Sequence, residues 1–225
     1  NVDTADHIGV LVPGLNTNVA TNLGLYDEYA GVMAEAAKKY AKGESVAMVE
    51  YLGYEAPQDI AEVTNISYAE NGAKNLSGFL NGLDASRKAG PAGDAHISVA
   101  GHSYGSTTAG IALTKVNPGV VDDLIQFGSP GAGVHDVSEF RLEKGHAWVS
   151  ATDIEQDRVQ GMGDDLRFGK DPATMPGYNH LSGDVGEQGV DKKMIYPFQK
   201  HNGYFARNSE ANEDISRVIA GRGKK

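Results

Sequence analysis

A serine nucleophile is the first chemistry that the sequence suggests. Ser103 lies at the centre of the motif Gly101-His102-Ser103-Tyr104-Gly105, between an apolar run at residues 97–100 and a run rich in small residues. A sharp turn between a buried strand and a helix would lift the serine hydroxyl clear of a sheet, and glycine at both ends of the motif would avoid backbone collisions. The helix that follows would aim the N–H of Tyr104 at a developing oxyanion. The pattern predicts a nucleophile elbow.

Strand and helix patterns alternate along the chain around this motif. Short apolar runs predict strands at residues 7–12, 46–51, 97–100, 121–127 and 147–151. Apolar residues at helical spacing separate them, and a last helix is expected over residues 209–220. Strands joined by helices form right-handed crossovers and a parallel sheet covered on both faces. The pattern predicts one α/β domain over residues 1–225, with a mainly parallel sheet of about five to six strands and no large separate cap domain.

The periodicity weakens after residue 159. Residues 159–200 are rich in Gly, Asp and Pro, and only residues 193–198 (KMIYPF) indicate a last strand. A long irregular segment in a compact domain is commonly functional. We therefore expect residues 159–200 to form an irregular, lid-like region on the substrate side.

Charge and composition narrow the class of partner. The formal net charge is −10, and the 225 residues include no cysteine. The negative charge argues against nucleic acid and against an anionic membrane surface as main partner. The lack of cysteine excludes disulfides, thiolate metal sites and a cysteine nucleophile.

No apolar run of about 18 residues is present, so no transmembrane segment is expected. A start at Asn1 is typical of a processed product or an excised domain. Nothing in the composition indicates an oligomeric state.

The partners of Ser103 are sought by chain order. In α/β enzymes with a serine nucleophile, the serine comes first, then an acid, then a histidine, and the last two lie on loops after later strands. His201 lies just before the terminal helix and is the preferred base, with His180 as second choice. Asp153 and Asp157 both follow the fifth predicted strand, and order alone leaves both open as the acid.

A second donor for the oxyanion is expected from the loop after the first strand. Gly14 permits an unusual backbone turn there, and the N–H of Leu15 is the natural donor, with Asn16 as alternative. The acidic stretch at residues 163–171 matches no calcium-loop spacing, so its carboxylates are expected to be solvated and no metal is expected.

Several stretches spread over nearly the whole chain also match a known family. They are residues 12–14 (VPG), 51–57 (YLGYEAP), 101–106 (GHSYGS), 121–124 (VDDL), 128–131 (GSPG), 169–172 (GKDP) and 201–205 (HNGYF). In these stretches the chain resembles the actinobacterial α/β-hydrolase family long described as a domain of unknown function.

The resemblance implies the α/β-hydrolase fold and an esterase- or lipase-like serine hydrolase, and it does not supply a substrate. We expect a small-molecule or lipid ester as substrate and no cofactor. Within it, Asp157-Arg158-Val159 fits the family's Asp-x-Ile/Val pattern, which favours Asp157 over Asp153, and His201 fits a His-x-Gly-Tyr pattern. An acyltransferase with the same triad and a non-catalytic binding domain are the alternatives. The family association and the lack of cysteine are compatible with secretion or with the cell envelope.

Overall fold

The computed structural model describes residues 1–15, 23–59 and 62–223. Within them, six parallel strands form one sheet in the order β2-β1-β3-β4-β5-β6. The strands are β1 His7–Val12, β2 Val46–Glu50, β3 His96–His102, β4 Asp123–Phe127, β5 Ala147–Ser150 and β6 Asn179–Leu181. The helices are α1 Leu23–Tyr40, α2 Ser67–Ala89, α3 Tyr104–Leu113, α4 Asp165–Phe168 and α5 Glu210–Ile219.

Helices cover the sheet on both faces, which confirms the predicted fold class. In β1 the side chains of Val10 and Val12 pack with α2 and α3, whereas Leu11 packs with α1 and α5 on the other face. A strand buried on both faces has a continuous apolar sequence, as the run HIGVLV has. Among the described residues no helix is both long and apolar enough to cross a membrane.

The central strand positions Ser103, the candidate nucleophile. β3 lies between β1 and β4, with Val12 opposite Gly101 and His102 opposite Phe127. Parallel strands bring their carboxyl ends to one edge of the sheet, so the loops after β1, β3, β4 and β5 meet around Ser103.

The predicted strand at residues 193–198 is wrong. This segment forms turns, in which the Phe198 N–H donates to the carbonyl of Ile195. Pro197 has no N–H to donate to a strand ladder, and the side chains of Ile195 and Tyr196 are exposed. The last strand is β6 instead, inside the stretch that was expected to be irregular, where it pairs with β5.

Candidate active site

Ser103 lies in a sharp turn between β3 and α3. Its φ of 56° and ψ of −134° place a non-glycine residue in a sparsely populated region, which costs on the order of 1–3 kcal/mol. The Ser103 N–H donates to the carbonyl of Phe127 at 3.1 Å, and this bond ties the turn to β4. A Cβ at Gly105 would lie 2.3 Å from the Pro13 carbonyl oxygen, and a Cβ at Gly101 would lie 2.6 Å from the backbone of α3. The close approach therefore requires glycine at both positions.

A chain of hydrogen bonds joins Ser103 to a buried carboxylate. The Ser103 Oγ lies 2.9 Å from His201 Nε2, and His201 Nδ1 lies 2.8 Å from Asp157 Oδ1. The other carboxylate oxygen, Asp157 Oδ2, accepts a hydrogen bond from the Tyr204 hydroxyl at 3.0 Å. With the Nδ1 proton donated to Asp157, Nε2 of a neutral His201 is free to accept the serine proton.

Burial and hydrogen bonding act in opposite directions on Asp157. Its side chain is fully buried, and burial alone would raise the pKa of the carboxyl. Hydrogen bonds from His201 and Tyr204 and the charge of His201 outweigh that effect and hold the pKa of Asp157 below its usual value. The burial of Tyr204 and the adjacent carboxylate raise the pKa of its phenol well above the usual value, so it stays a donor. Asp157 is therefore an anion aimed at His201.

The alternative acid and the second-choice base lie apart from this chain of bonds. Asp153 is exposed, and its carboxylate accepts a hydrogen bond from the Glu155 N–H at 3.0 Å. His180 is exposed on the edge strand β6, opposite Val149. The structure thus brings Asp157 and His201 to Ser103, and brings neither Asp153 nor His180 into the chain.

The two expected oxyanion donors flank the serine. A Cβ at Gly14 would lie 2.6 Å from the Ser103 Cβ, so the backbone before Leu15 passes directly beside the nucleophile. Tyr104 begins α3, where backbone N–H groups have no acceptor within the helix. Both backbone segments therefore border the Ser103 hydroxyl. Asn16, the alternative donor, lies outside the described residues.

The side chain of Tyr104 points away from this site into the body of the protein. Its ring is buried and contacts Phe168 edge to face, with 6.0 Å between ring centroids. Its hydroxyl donates to the carbonyl of Asn65 and accepts from the N–H of Ala69. Tyr104 thereby anchors the start of α3 to the start of α2.

His102 is a residue of the site that the motif reasoning passed over. It is 1% exposed, and its Nε2 donates to the backbone carbonyl of His201 at 2.8 Å. Its ring also lies against the ring of His201, with 4.8 Å between centroids. Burial, reinforced by the nearby His201, lowers the pKa of His102 to about 3. A buried polar side chain requires a hydrogen-bond partner, so a histidine at the end of a predicted buried strand was the sequence signal for such a contact.

The acidic stretch at residues 163–171 serves local structure. Asp164 caps α4 by accepting the N–H of Arg167 at 3.1 Å, and Asp171 accepts the N–H of Ala173 at 2.9 Å. In the part of the chain that the structure describes, no group of three or more His, Cys, Asp or Glu side chains is arranged to hold a metal ion.

The fold and the position of the serine define the class of protein: an α/β-hydrolase, with a strand–serine–helix turn at the carboxyl edge of a parallel sheet. Residues 1–165 match the sequence model of a family described as alpha/beta hydrolase, and the chain belongs to that family. The expected family relationship is thereby confirmed.

Relatives and solved structures agree with this assignment. An uncharacterized protein of Mycobacterium tuberculosis is 33% identical over 194 residues, which cover 83% of this chain and 70% of the relative. A second uncharacterized protein of that organism is 27% identical over 246 residues, covering 99% of this chain and 36% of the relative. Among solved structures, a Trichoderma reesei cutinase in complex with a phosphonate inhibitor superposes with a TM-score of 0.57 at 12% identity, covering 99% of this chain and 78% of the cutinase. This last likeness concerns the fold.

Proposed function

We propose that the protein is a serine hydrolase that cleaves carboxylic esters through an acyl-enzyme. Ser103 is the nucleophile, His201 the general base and acid, and Asp157 the carboxylate that orients His201. The observation that carries the proposal is the continuous path of hydrogen bonds, 2.9 Å from Ser103 Oγ to His201 Nε2 and 2.8 Å from His201 Nδ1 to Asp157 Oδ1. Nucleophile and base within hydrogen-bond reach, with the base oriented by a third group, are the arrangement that activates a serine.

The reaction proceeds in two halves. In the first, the Ser103 oxygen attacks the ester carbonyl while its proton moves to His201 Nε2, and the tetrahedral intermediate collapses when that proton passes to the leaving alcohol. In the second, a water molecule loses a proton to His201 and attacks the acyl-enzyme, releasing the carboxylic acid and restoring the serine hydroxyl. Asp157 stays ionised throughout and stabilises the imidazolium of each half.

Two backbone N–H groups hold the oxyanion of each tetrahedral intermediate in this proposal, those of Tyr104 and Leu15. Removing one such donor costs about 10²–10³ in turnover in enzymes of this chemistry. The donors belong to backbone segments at the start of α3 and after β1, which border the Ser103 hydroxyl before any charge develops.

The proposal includes the domain organisation. Residues 1–225 form one catalytic domain, and residues 159–200 supply the substrate side of the site. The length of chain and the two buried clusters on either face of one sheet support a single domain.

The test is a comparison of Ser103→Ala with a matched control, Ser86→Ala, which changes an exposed serine on the surface of α2. Hydrolysis of p-nitrophenyl esters of increasing chain length is measured for both, together with labelling by a fluorophosphonate. We expect Ser103→Ala to lose hydrolysis and labelling with an unchanged circular dichroism spectrum, and Ser86→Ala to keep both. Full activity of Ser103→Ala would refute the assignment.

A further inference from the structure

Large hydrophobic side chains are exposed at one edge of the molecule. Of the part of the chain that the structure describes, six such side chains stand in solvent: Leu25, Ile154, Met162, Leu166, Ile195 and Tyr196. Each lies on a loop or helix start on the carboxyl side of the sheet, the side that bears Ser103. We call these six residues the apolar rim. Single exposed hydrophobic residues are ordinary, but six of them on the side of the sheet that bears Ser103 indicate a surface that binds apolar material.

Half of the rim is carried by the loops that hold the acid and the base. Ile154 lies between β5 and Asp157, while Ile195 and Tyr196 lie just before His201. Backbone hydrogen bonds join these loops: the N–H of residue 158 donates to the carbonyl of residue 197 at 3.3 Å, and the N–H of residue 200 donates to the carbonyl of residue 156 at 2.9 Å. The three side chains are therefore held beside the candidate triad by the same backbone that positions it.

The other side of the rim is fixed to the elbow. The Gly161 N–H, next to Met162, donates to the carbonyl of Ser129 at 2.9 Å, in the loop after β4. Leu166 lies on α4 and is 90% exposed, whereas Phe168 of the same helix is buried against Tyr104. The packing of Phe168 holds α4 against the protein. Leu166, on the same helix, therefore exposes its apolar side chain to solvent from a fixed position.

The charges around the rim indicate whether it can bind an anionic or an uncharged lipid surface. Lys192 and Lys193 are exposed beside Ile195, and Asp153 and Glu155 are exposed beside Ile154. Charges of both signs are therefore mixed with the apolar side chains, and the whole chain has a formal net charge of −10. An anionic lipid surface would repel such a molecule, whereas an uncharged one would not. Tyr196, 61% exposed, combines a ring with a hydroxyl and suits a boundary between lipid and water.

We infer that the apolar rim seats the protein on the surface of an aggregated, uncharged ester, so that single substrate molecules reach Ser103 from that surface. The inference rests on the proposed function, because the rim lies on the side of the sheet that bears the candidate nucleophile. A second copy of the chain seated on the same residues would cover the approach to Ser103, so the ester aggregate is the occupant compatible with hydrolysis.

The experiment uses the full 225-residue chain and two ester substrates. Soluble p-nitrophenyl acetate reports the triad alone, and tributyrin, followed by acid release below and above its solubility limit, reports the surface. The rim variant is Ile195→Ser with Tyr196→Ser, two exposed positions whose change leaves the core intact. The control is Lys144→Ser, an exposed residue just before β5 at the opposite edge of the sheet.

We expect the wild-type rate on tributyrin to rise steeply above the solubility limit. The rim variant should lose about tenfold or more on the emulsion, since two large apolar side chains no longer enter it, and less than about twofold on p-nitrophenyl acetate. The control should match the wild type on both. Equal rates of the rim variant and the wild type on the emulsion, or equal losses on both substrates, would overturn the inference while leaving the proposed function standing.

A binding measurement separates the surface from the chemistry. Ser103→Ala protein is floated with phosphatidylcholine-coated trioctanoin droplets and with phosphatidylglycerol vesicles, with and without the rim substitutions. We expect rim-dependent flotation with the uncharged droplets. Flotation with the anionic vesicles alone, or a dimer that the rim substitutions dissociate, would overturn the inference by assigning the rim to another occupant. If the wild type hydrolyses neither substrate, the proposed function fails, and flotation still decides what the rim binds.

Discussion

His102 makes the stability of the protein depend on pH in a way that can be isolated. The ring is 1% exposed, and its Nε2 donates to the carbonyl of His201 at 2.8 Å. The other ring nitrogen, Nδ1, is buried and has no hydrogen-bond partner among the described residues. A second proton on this ring would therefore place both an uncompensated charge and an unpaired N–H in the core, next to His201. Burial, with the neighbouring His201, accordingly lowers the pKa of His102 from 6.5 to about 3.

The magnitude follows from proton linkage. Between these two pKa values the unfolded chain binds a proton that the folded protein rejects, so stability is fully present above about pH 6.5 and is lost as the pH falls towards about 3. At about pH 5 the loss is RT ln(1 + 10^1.5), which is about 2 kcal/mol. The figure at about pH 5 depends only on the ordinary pKa of histidine, because the folded-state pKa lies far below.

The substitution that isolates this effect is His102→Gln, whose amide nitrogen can still donate to the His201 carbonyl but does not titrate. Urea unfolding is followed at about pH 8 and about pH 5 through Trp148, the single, buried tryptophan. On acidification the wild type should lose about 2 kcal/mol more than the variant, since the other titrating groups are common to both. The control His180→Gln changes an exposed histidine and should follow the wild type. An equal loss for His102→Gln and the wild type would refute the reasoning.

Three further predictions concern the candidate site. Asp157→Asn should lower kcat for a p-nitrophenyl ester by about 10³–10⁴-fold, because an amide no longer holds His201 in the required tautomer. Asp153→Asn should leave kcat within about twofold of the wild type. The reverse order of effects would contradict the choice of acid. Gly14→Ala should lower kcat by at least about tenfold with the fold retained, because a Cβ there would lie 2.6 Å from the Ser103 Cβ and displace the loop that carries the proposed oxyanion donor Leu15. Unchanged kinetics would show that the position of this loop is not critical. Tyr204→Phe removes a hydroxyl that is hydrogen-bonded to Asp157 and to the backbone N–H of residue 152. Because a carboxylate oxygen is left unpaired, we expect a loss of about 1–3 kcal/mol in the free energy of unfolding, measured by urea denaturation. No loss would mean that water replaces the hydroxyl.

The elements of the fold were predictable because their signals are local. Apolar runs in strands that are buried on both faces, and glycines at a backbone crossing, appear in any short window of sequence. The same locality explains the error at residues 193–198. The apolar run that includes Pro197 predicts a strand, but the side chains of Ile195 and Tyr196 face solvent. The true edge strand, β6, is too short and polar to show a period.

By itself the sequence determined the class of protein and indicated Ser103 as candidate nucleophile, because the strand–glycine–serine–glycine–helix pattern lies in consecutive residues. It left Asp153 and Asp157 equivalent by chain order, and it assigned no role to His102. The family resemblance favoured Asp157, but only the tertiary structure gives the distances: Asp157 is buried, 2.8 Å from His201, while Asp153 stays in solvent. The physical reason is that catalytic geometry is a matter of distance between loops far apart in the chain. The apolar rim likewise becomes visible only once the sheet has gathered its loops at one edge.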